Sequence, residues 1–366
     1  MRFVELMGVR RIEVEDEVEA GGCVDGDGED GRRERFMSLN PSYVPGGNRG
    51  AAYGGHVFAQ SVWAAAQTVG GDRGGDGGMV VHNVHGFFTL PGLGDRPYVY
   101  SITHLSEGRS YCTRQVTVRQ PLSASSSVPF RVQDLGKGEE GLGKVCFVSM
   151  VSFKRNEVEG VSHQVGEGVE EMYREVLEGR RPESWDVLPR IDTPWYYRHI
   201  KQHPQTNDFP GLELRKVDMR TYNANKHPQD YRQLHYYTPL GPIPPTLPNL
   251  HACAHLYASD RNSVFVVTNA TGTGDNIKAM GSLSHSVIFH VNGKDLVMRE
   301  REWWCQESWT PRSGWGRGVV ESRIWRGKTN VASTFQEGQV RWTDKEGEMR
   351  QMNAFMEGWR EARGKL

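Results

Sequence analysis

The residues with most chemical potential in this 366-residue chain gather around one stretch, Leu250–Val264, LHACAHLYASDRNSV. Ala252, Ala254 and Ala258 are small, and Leu256 and Tyr257 are bulky anchors, so the stretch reads as a buried helix that a sheet could wrap closely. It ends on an acid, Asp260. A carboxylate at the end of a buried helix is poorly hydrated, so it needs hydrogen-bond partners or a chemical task. Ser282 in GSLSH and Gln336 in FQEG, each in a later strand-like segment, are the candidate partners. A second feature is Gly54-Gly55 at the start of a helix spanning His56–Val69. Free N–H groups there could bind an oxygen or a phosphate, or the glycines could simply make a tight turn. His82 and His85 are further candidate bases, but between apolar strand neighbours they equally suit satisfied core or pocket positions.

Other chemistries are argued against. The thirteen histidines form no HExxH or paired zinc pattern, and the five cysteines form no CxxC. The scattered cysteines read as reduced thiols of an intracellular protein. DGDGED lacks the spacing and terminal glutamate of a calcium loop. No GxSxG elbow is present. No metal or cofactor is therefore expected. With 44 basic and 45 acidic residues, bulk charge gives no sign of a nucleic-acid partner. No run approaches the ~20 apolar residues of a membrane-spanning helix. The acidic N-terminal twenty residues argue against a secretory or mitochondrial leader. The terminal Lys365-Leu366 matches the end of a peroxisomal address, with Gly364 in place of the usual serine or alanine. Peroxisome and cytoplasm both stay open.

Hydrophobic residues make up 37% of the chain, enough for a real core. Four strand-like segments follow the first helix: Met79–Phe88, Arg96–Leu105, Ser110–Gln120 and Lys144–Lys154. Pro121–Gly143 is a low-complexity Ser/Gly loop. Residues 156–210 read as a linker, with short helices expected at Val169–Glu178 and Glu183–Leu188 and an irregular aromatic, proline-rich remainder. A strand is expected within Leu212–Arg220. The second helix then leads through the turn-rich TNATGTGDN to strands at Gly281–His290, Leu296–Ser308, Gly316–Arg326 and Asn330–Trp342. Residues 343–366 form a charged tail.

Both halves thus read helix, loop, four strands, a repeat at the level of whole units. A helix wrapped by an antiparallel sheet is the hotdog arrangement. The expectation is an α+β double hotdog with a continuous sheet: one unit in 1–155, the other in 211–342. When the halves are laid over each other, VVHNVHGFFTLPG on SLSHSVIFHVNG and KVCFVSMVSFKR on NVASTFQEGQVRW, Ser282 falls opposite Val80, Gln336 opposite Met150, and Asp260 near Ala66. One copy carries three polar groups where the other is apolar. That fits a single site per chain, or a buried hydrogen-bond network that ties the second helix to its sheet.

YGGHVFAQSVWAAAQTV, VVHNVHGFFTLPG and LSEGRSYCTRQV, followed by LYASDRN, GSLSHSVIFH and ASTFQEGQVR, resemble the acyl-CoA thioesterase II family of bacterial TesB and its eukaryotic peroxisomal relatives. The resemblance runs from about residue 53 to 341. It implies hydrolysis of acyl-CoA to free acid and CoA, with an aspartate, a serine or threonine and a glutamine that position water. These map to Asp260, Ser282 and Gln336, with Asp260 taking a proton from the water. Gly55, His56, His82 and Arg317 are the expected substrate-binding residues, and an N–H near Gly55 is one candidate donor to the oxyanion. Ser284 stands where the family often has aspartate, Ile288 where it often has tryptophan, and His56 where it often has glutamine. The partner expected is a small-molecule acyl-CoA, and the chain is either a monomeric double hotdog or a homo-oligomer of it. Two other readings remain: a hotdog hydratase or dehydratase of acyl thioesters, and an acyl-CoA-binding protein without turnover.

Overall fold

The computed structural model describes residues 1–12, 32–45, 51–69, 78–136, 138–202 and 209–342. The expected charged tail lies outside them, as does most of the polar Gly/Asp loop expected at 21–34, whose last two residues instead open a strand, Arg33–Ser38.

Thirteen strands form one antiparallel sheet. They are β1 (Val9–Ile12), β2 (Arg33–Ser38), β3 (Val80–Phe88), β4 (Val99–Glu107), β5 (Tyr111–Arg119), β6 (Phe147–Lys154), β7 (Asp186–Val187), β8 (Leu212–Lys216), β9 (Gln233–Pro239), β10 (Ile277–Phe289), β11 (Trp304–Gly314), β12 (Arg317–Arg326) and β13 (Thr329–Trp342). Their order is β1-β2-β4-β5-β6-β3-β10-β13-β12-β11-β9-β8-β7. The two halves meet where β3 pairs with β10, with His85 opposite Ser286 and Val84 opposite Val287. This is the α+β double hotdog that the repeat predicts.

Two long helices, Gly54–Ala66 and Pro248–Ser259, pack against each other and against the sheet. Ala59, Ala64 and Ala65 on one and Ala252, Ala254 and Ala258 on the other are almost fully buried. Small side chains let the backbones approach, while Phe58, Leu256 and Tyr257 fill the remaining core. The Tyr53 hydroxyl, 2.5 Å from the Tyr257 carbonyl, ties the start of the first helix to the second.

The middle of the chain departs from expectation. The helix expected at 169–178 is two four-residue pieces, Val169–Met172 and Arg174–Leu177. Between them Tyr173 turns its hydroxyl onto buried Glu307, 2.5 Å away. Residues 183–188 hold a 3-10 turn, Pro182–Ser184, and the edge strand β7 instead of a helix. The linker remainder expected to be irregular contains the helix Pro194–Gln202, and the strand β9 forms at 233–239, where no strand was expected. Every residue of β9 is buried, so it lacks the alternation that marks a half-exposed strand. A further short helix, Phe265–Ala270, takes in the first three residues of the turn-rich stretch. Its valines seat on glycines: a β-carbon at Gly338 would lie 2.4 Å from Val264, and one at Gly318 would lie 2.6 Å from Val267.

Candidate active site

The second long helix stops at Asp260, its C-cap, which is 7% exposed. Oδ1 accepts hydrogen bonds from Ser282 Oγ at 3.0 Å and Gln336 Nε2 at 2.5 Å. Gln336 Nε2 also donates to Ser282 Oγ at 2.8 Å. Oδ2 accepts the backbone N–H of Gly55 at 2.7 Å. The three residues singled out by sequence are thus in mutual contact, delivered by a helix end and by β10 and β13. Ser282 flanks a bulge in the β10–β13 register, between Ser282 and Ser284.

The carboxylate bridges the two helices. It sits at the carbonyl end of the second, an unfavourable place for a negative charge, and at the N–H end of the first, a favourable one. Burial raises its pKa from 3.8 to about 6, against the opposing hydrogen bonds from Gln336, Ser282 and Gly55 and the nearby Arg261 charge. An ionised carboxylate offers about four lone-pair positions. Among the described residues, two on Oδ1 and one on Oδ2 are taken, so one on Oδ2 remains. Gly54 keeps that oxygen uncovered: a β-carbon there would lie 3.1 Å from Oδ2 and 3.0 Å from the Phe88 ring. Gly55 is constrained too, because its β-carbon would fall 2.5 Å from the Tyr53 ring.

The structure places the other candidate residues as follows. The Gly55 N–H holds the carboxylate rather than standing ready for an oxyanion. His56 is a core residue: its Nε2 lies 3.1 Å from Gln60 Oε1, its ring stacks on Tyr98, and burial lowers its pKa to about 4. His82 bonds Ser152 Oγ at 2.9 Å, and His85 bonds Ser286 Oγ at 2.8 Å; neither is joined to Asp260. Arg317 ion-pairs with Glu337 at 2.9 Å. Glu337 follows Gln336 in β13, so the pair lies on the opposite sheet face from the carboxylate. Ile288 is exposed, and Ser284 lies between Phe87 of β3 and Glu337 of β13 in the sheet register.

The overlay of the halves is also off by one residue at one position. Met150 is 42% exposed and faces outward, whereas Gln336 faces in. The inward neighbours in β6 are Ser149 and Val151. At the start of the second helix, Asn249 Oδ1 accepts the Val81 N–H at 2.8 Å and its Nδ2 donates to the Met79 carbonyl at 3.0 Å. A side-chain clasp thus closes the first unit's strand against the second helix, where Val80 was set opposite Ser282.

Sequence reading missed what surrounds the carboxylate. Arg261 donates to the carbonyls of Arg190 and Pro189, both at 3.0 Å, and lies over the Phe209 ring. Asn262, in the left-handed region at φ 56°, donates to the same Pro189 carbonyl. These bonds fasten the linker over the end of the second long helix. The only sequence signal for them was the polar pair that directly follows Asp260.

The architecture is a double hotdog with the buried Asp260 carboxylate held between its two long helices. Comparison with known proteins narrows it. Residues 44–153 match the family described as the acyl-CoA thioesterase N-terminal domain, and residues 199–340 match the acyl-CoA thioesterase C-terminal domain. Together these matches cover more than two thirds of the chain, and the chain belongs to the acyl-CoA thioesterase family. Acyl-coenzyme A thioesterase 8 of Mus musculus is 24% identical over 308 residues, 82% of each chain. Acyl-CoA thioesterase 2 of Haemophilus influenzae is 23% identical over 296 residues, 80% of this chain and 88% of that one. The fold is similar to that of the acyl-CoA thioesterase II TesB2 of Mycobacterium marinum, with a TM-score of 0.58, 22% identity and coverage of 94% and 99% of the two chains. Among the described residues no helix is long and apolar enough to cross a membrane.

Proposed function

We propose that the chain hydrolyses acyl-CoA thioesters by direct attack of a water activated at Asp260. The observation that carries this reading is the buried carboxylate held by Ser282, Gln336 and Gly55 with one lone pair left on Oδ2. A water donating to that lone pair is oriented by a fixed base, and a carboxylate with a pKa of about 6 is ionised at neutral pH yet basic enough to take the proton. Ser282 and Gln336 keep the base in one orientation, which lowers the entropic part of the barrier. The bonds balance simply: water oxygen adds to the thioester carbonyl, its proton passes to Asp260, and collapse of the tetrahedral species expels the CoA thiolate, which recovers the proton. No acyl-enzyme forms. The oxyanion develops against the first turn of the first long helix, where the Gly54 N–H precedes the one already bound to Asp260.

A chain-length series of acyl-CoAs, followed by CoA release with wild type beside Asp260→Asn, tests the reading. Turnover is expected in wild type, with a loss of about 100-fold or more in the variant, the scale of a lost general base. Wild-type rates in the variant would remove Asp260 from the mechanism. Acyl-CoA binding with no turnover of any chain length would favour the binding-protein reading.

A further inference from the structure

The proposed mechanism uses the amide end of Gln336 but leaves its carbonyl unexplained. Gln336 Oε1 is buried and has no partner among the described residues. His285, directly opposite Gln336 in the β10–β13 pair, is fully buried, and its Nδ1 is likewise without a partner there. The other ring nitrogen, Nε2, lies 2.8 Å from Ser259 Oγ, on the residue just before Asp260. Phe58 of the first helix holds the imidazole edge-on, with ring centroids 4.8 Å apart.

Polarity decides how these groups are joined. Asp260, when ionised, only accepts, so the NH2 of Gln336 must face it and the carbonyl must face back. The group behind that carbonyl must then donate. Burial lowers the His285 pKa to about 4, so the ring carries a single N–H at neutral pH. The Gln336 side chain raises the His285 pKa against burial, as a hydrogen-bond partner does, so with the proton on Nε2 the lone pair of Nδ1 would be turned toward Gln336 Oε1. The alternative, a flipped amide, would set its carbonyl against the Asp260 carboxylate. Each leaves a buried polar atom opposed, which is unfavourable. The Ser259 hydroxyl lies within 2.9 Å of the Leu256 carbonyl as well, but its one proton can turn to Nε2 instead.

We propose that His285, as its Nδ1–H tautomer, is the positioning residue that sets the Gln336 amide, in a one-directional chain from the Ser259 hydroxyl through the imidazole and Gln336 to Asp260. The chain runs Ser259 Oγ–H to His285 Nε2, His285 Nδ1–H to Gln336 Oε1, and Gln336 Nε2–H to Asp260 Oδ1. It gives the catalytic carboxylate a fixed donor without a second charge in the core. Its kinetic consequence rests on the proposed mechanism, whereas its structural part does not.

Two measurements separate these. Long-range 1H–15N correlation on histidine-labelled protein reports the tautomer directly, with the His285 signals assigned by their loss in His285→Asn. The Nδ1–H pattern is expected, and an Nε2–H pattern overturns the proposal whatever substrate the enzyme turns over. In the second, His285→Leu lowers kcat on the best acyl-CoA by about 10–100-fold with little change in KM, the scale of a misoriented reacting group. His285→Asn, whose amide N–H can replace Nδ1–H, recovers part of that loss. In a Gln336→Ala background, His285→Leu costs nothing further, because both changes remove one device. Multiplying effects would show a merely structural role and sink the proposal. If His285→Leu does not fold, the asparagine variant and the tautomer still decide. A wild type that hydrolyses no acyl-CoA would refute the mechanism and leave the tautomer result standing.

Discussion

Replacing Asp260 by asparagine separates the cost of the carboxylate from its use. Burial raises its pKa from 3.8 to about 6, a change of about two units. At ~1.36 kcal/mol per unit, the native state is disfavoured by ~3 kcal/mol when this group is ionised. The sign follows from linkage. The folded protein binds the Asp260 proton more tightly than the unfolded chain does. Its protonation therefore contributes stability that is fully present below about pH 3.8 and lost as pH rises through about 6. Asparagine does not titrate, so the variant gains on wild type across that window. Part of the gain is offset, since the asparagine NH2 must meet a donor where the carboxylate accepted on both oxygens, at about 1–3 kcal/mol. That offset does not depend on pH. The difference in unfolding free energy between variant and wild type should therefore grow by ~2–3 kcal/mol from about pH 4.5 to pH 8, measured by urea denaturation of both proteins across the range. Over the same range the variant should be nearly inactive. A difference that stays flat with pH would refute the claim that Asp260 carries a raised pKa, and with it the tuned-base argument.

Wild-type kcat/KM should fall about tenfold per pH unit below about pH 6, since the base must be ionised. Ser282→Ala removes a donor that holds this pKa down, so its acid limb should move to higher pH; an unmoved limb in a pH–rate profile would detach Ser282 from Asp260. Arg317→Ala should leave kcat/KM within about threefold, because an exposed pair with Glu337 is worth roughly 0–1 kcal/mol and lies on the other sheet face. A large rise in KM for acyl-CoA would restore Arg317 as a substrate contact.

The strongly patterned parts of the chain were legible in advance. The buried small-residue helix ending on Asp260, most central strands of both units and the repeat follow from local periodicity, although β11 begins at Trp304 rather than at Leu296. Where burial on both faces removes alternation, as in β9, or where a short helix is held by distant glycines, as with Phe265–Ala270 on Gly318 and Gly338, local pattern carries no signal. The one-residue error that set outward-facing Met150 against inward Gln336 has the same origin. A strand flips faces every residue, so register is fixed by pairing rather than by composition.

The sequence alone determined which residue types could meet: one acid at a helix end, one hydroxyl, one amide, and two glycines before another helix. Tertiary structure decided what each of them does. It brought the N–H of Gly55 to the carboxylate rather than to a substrate, because the first helix begins where the second one ends. It turned Arg317 away and His56 into the core. It set His285 behind Gln336 across a strand pair, a relation between residues 51 apart in the chain that only the register of β10 on β13 creates. Hydrogen-bond direction and burial depend on three-dimensional neighbours, and those exist only once the sheet has closed around both helices.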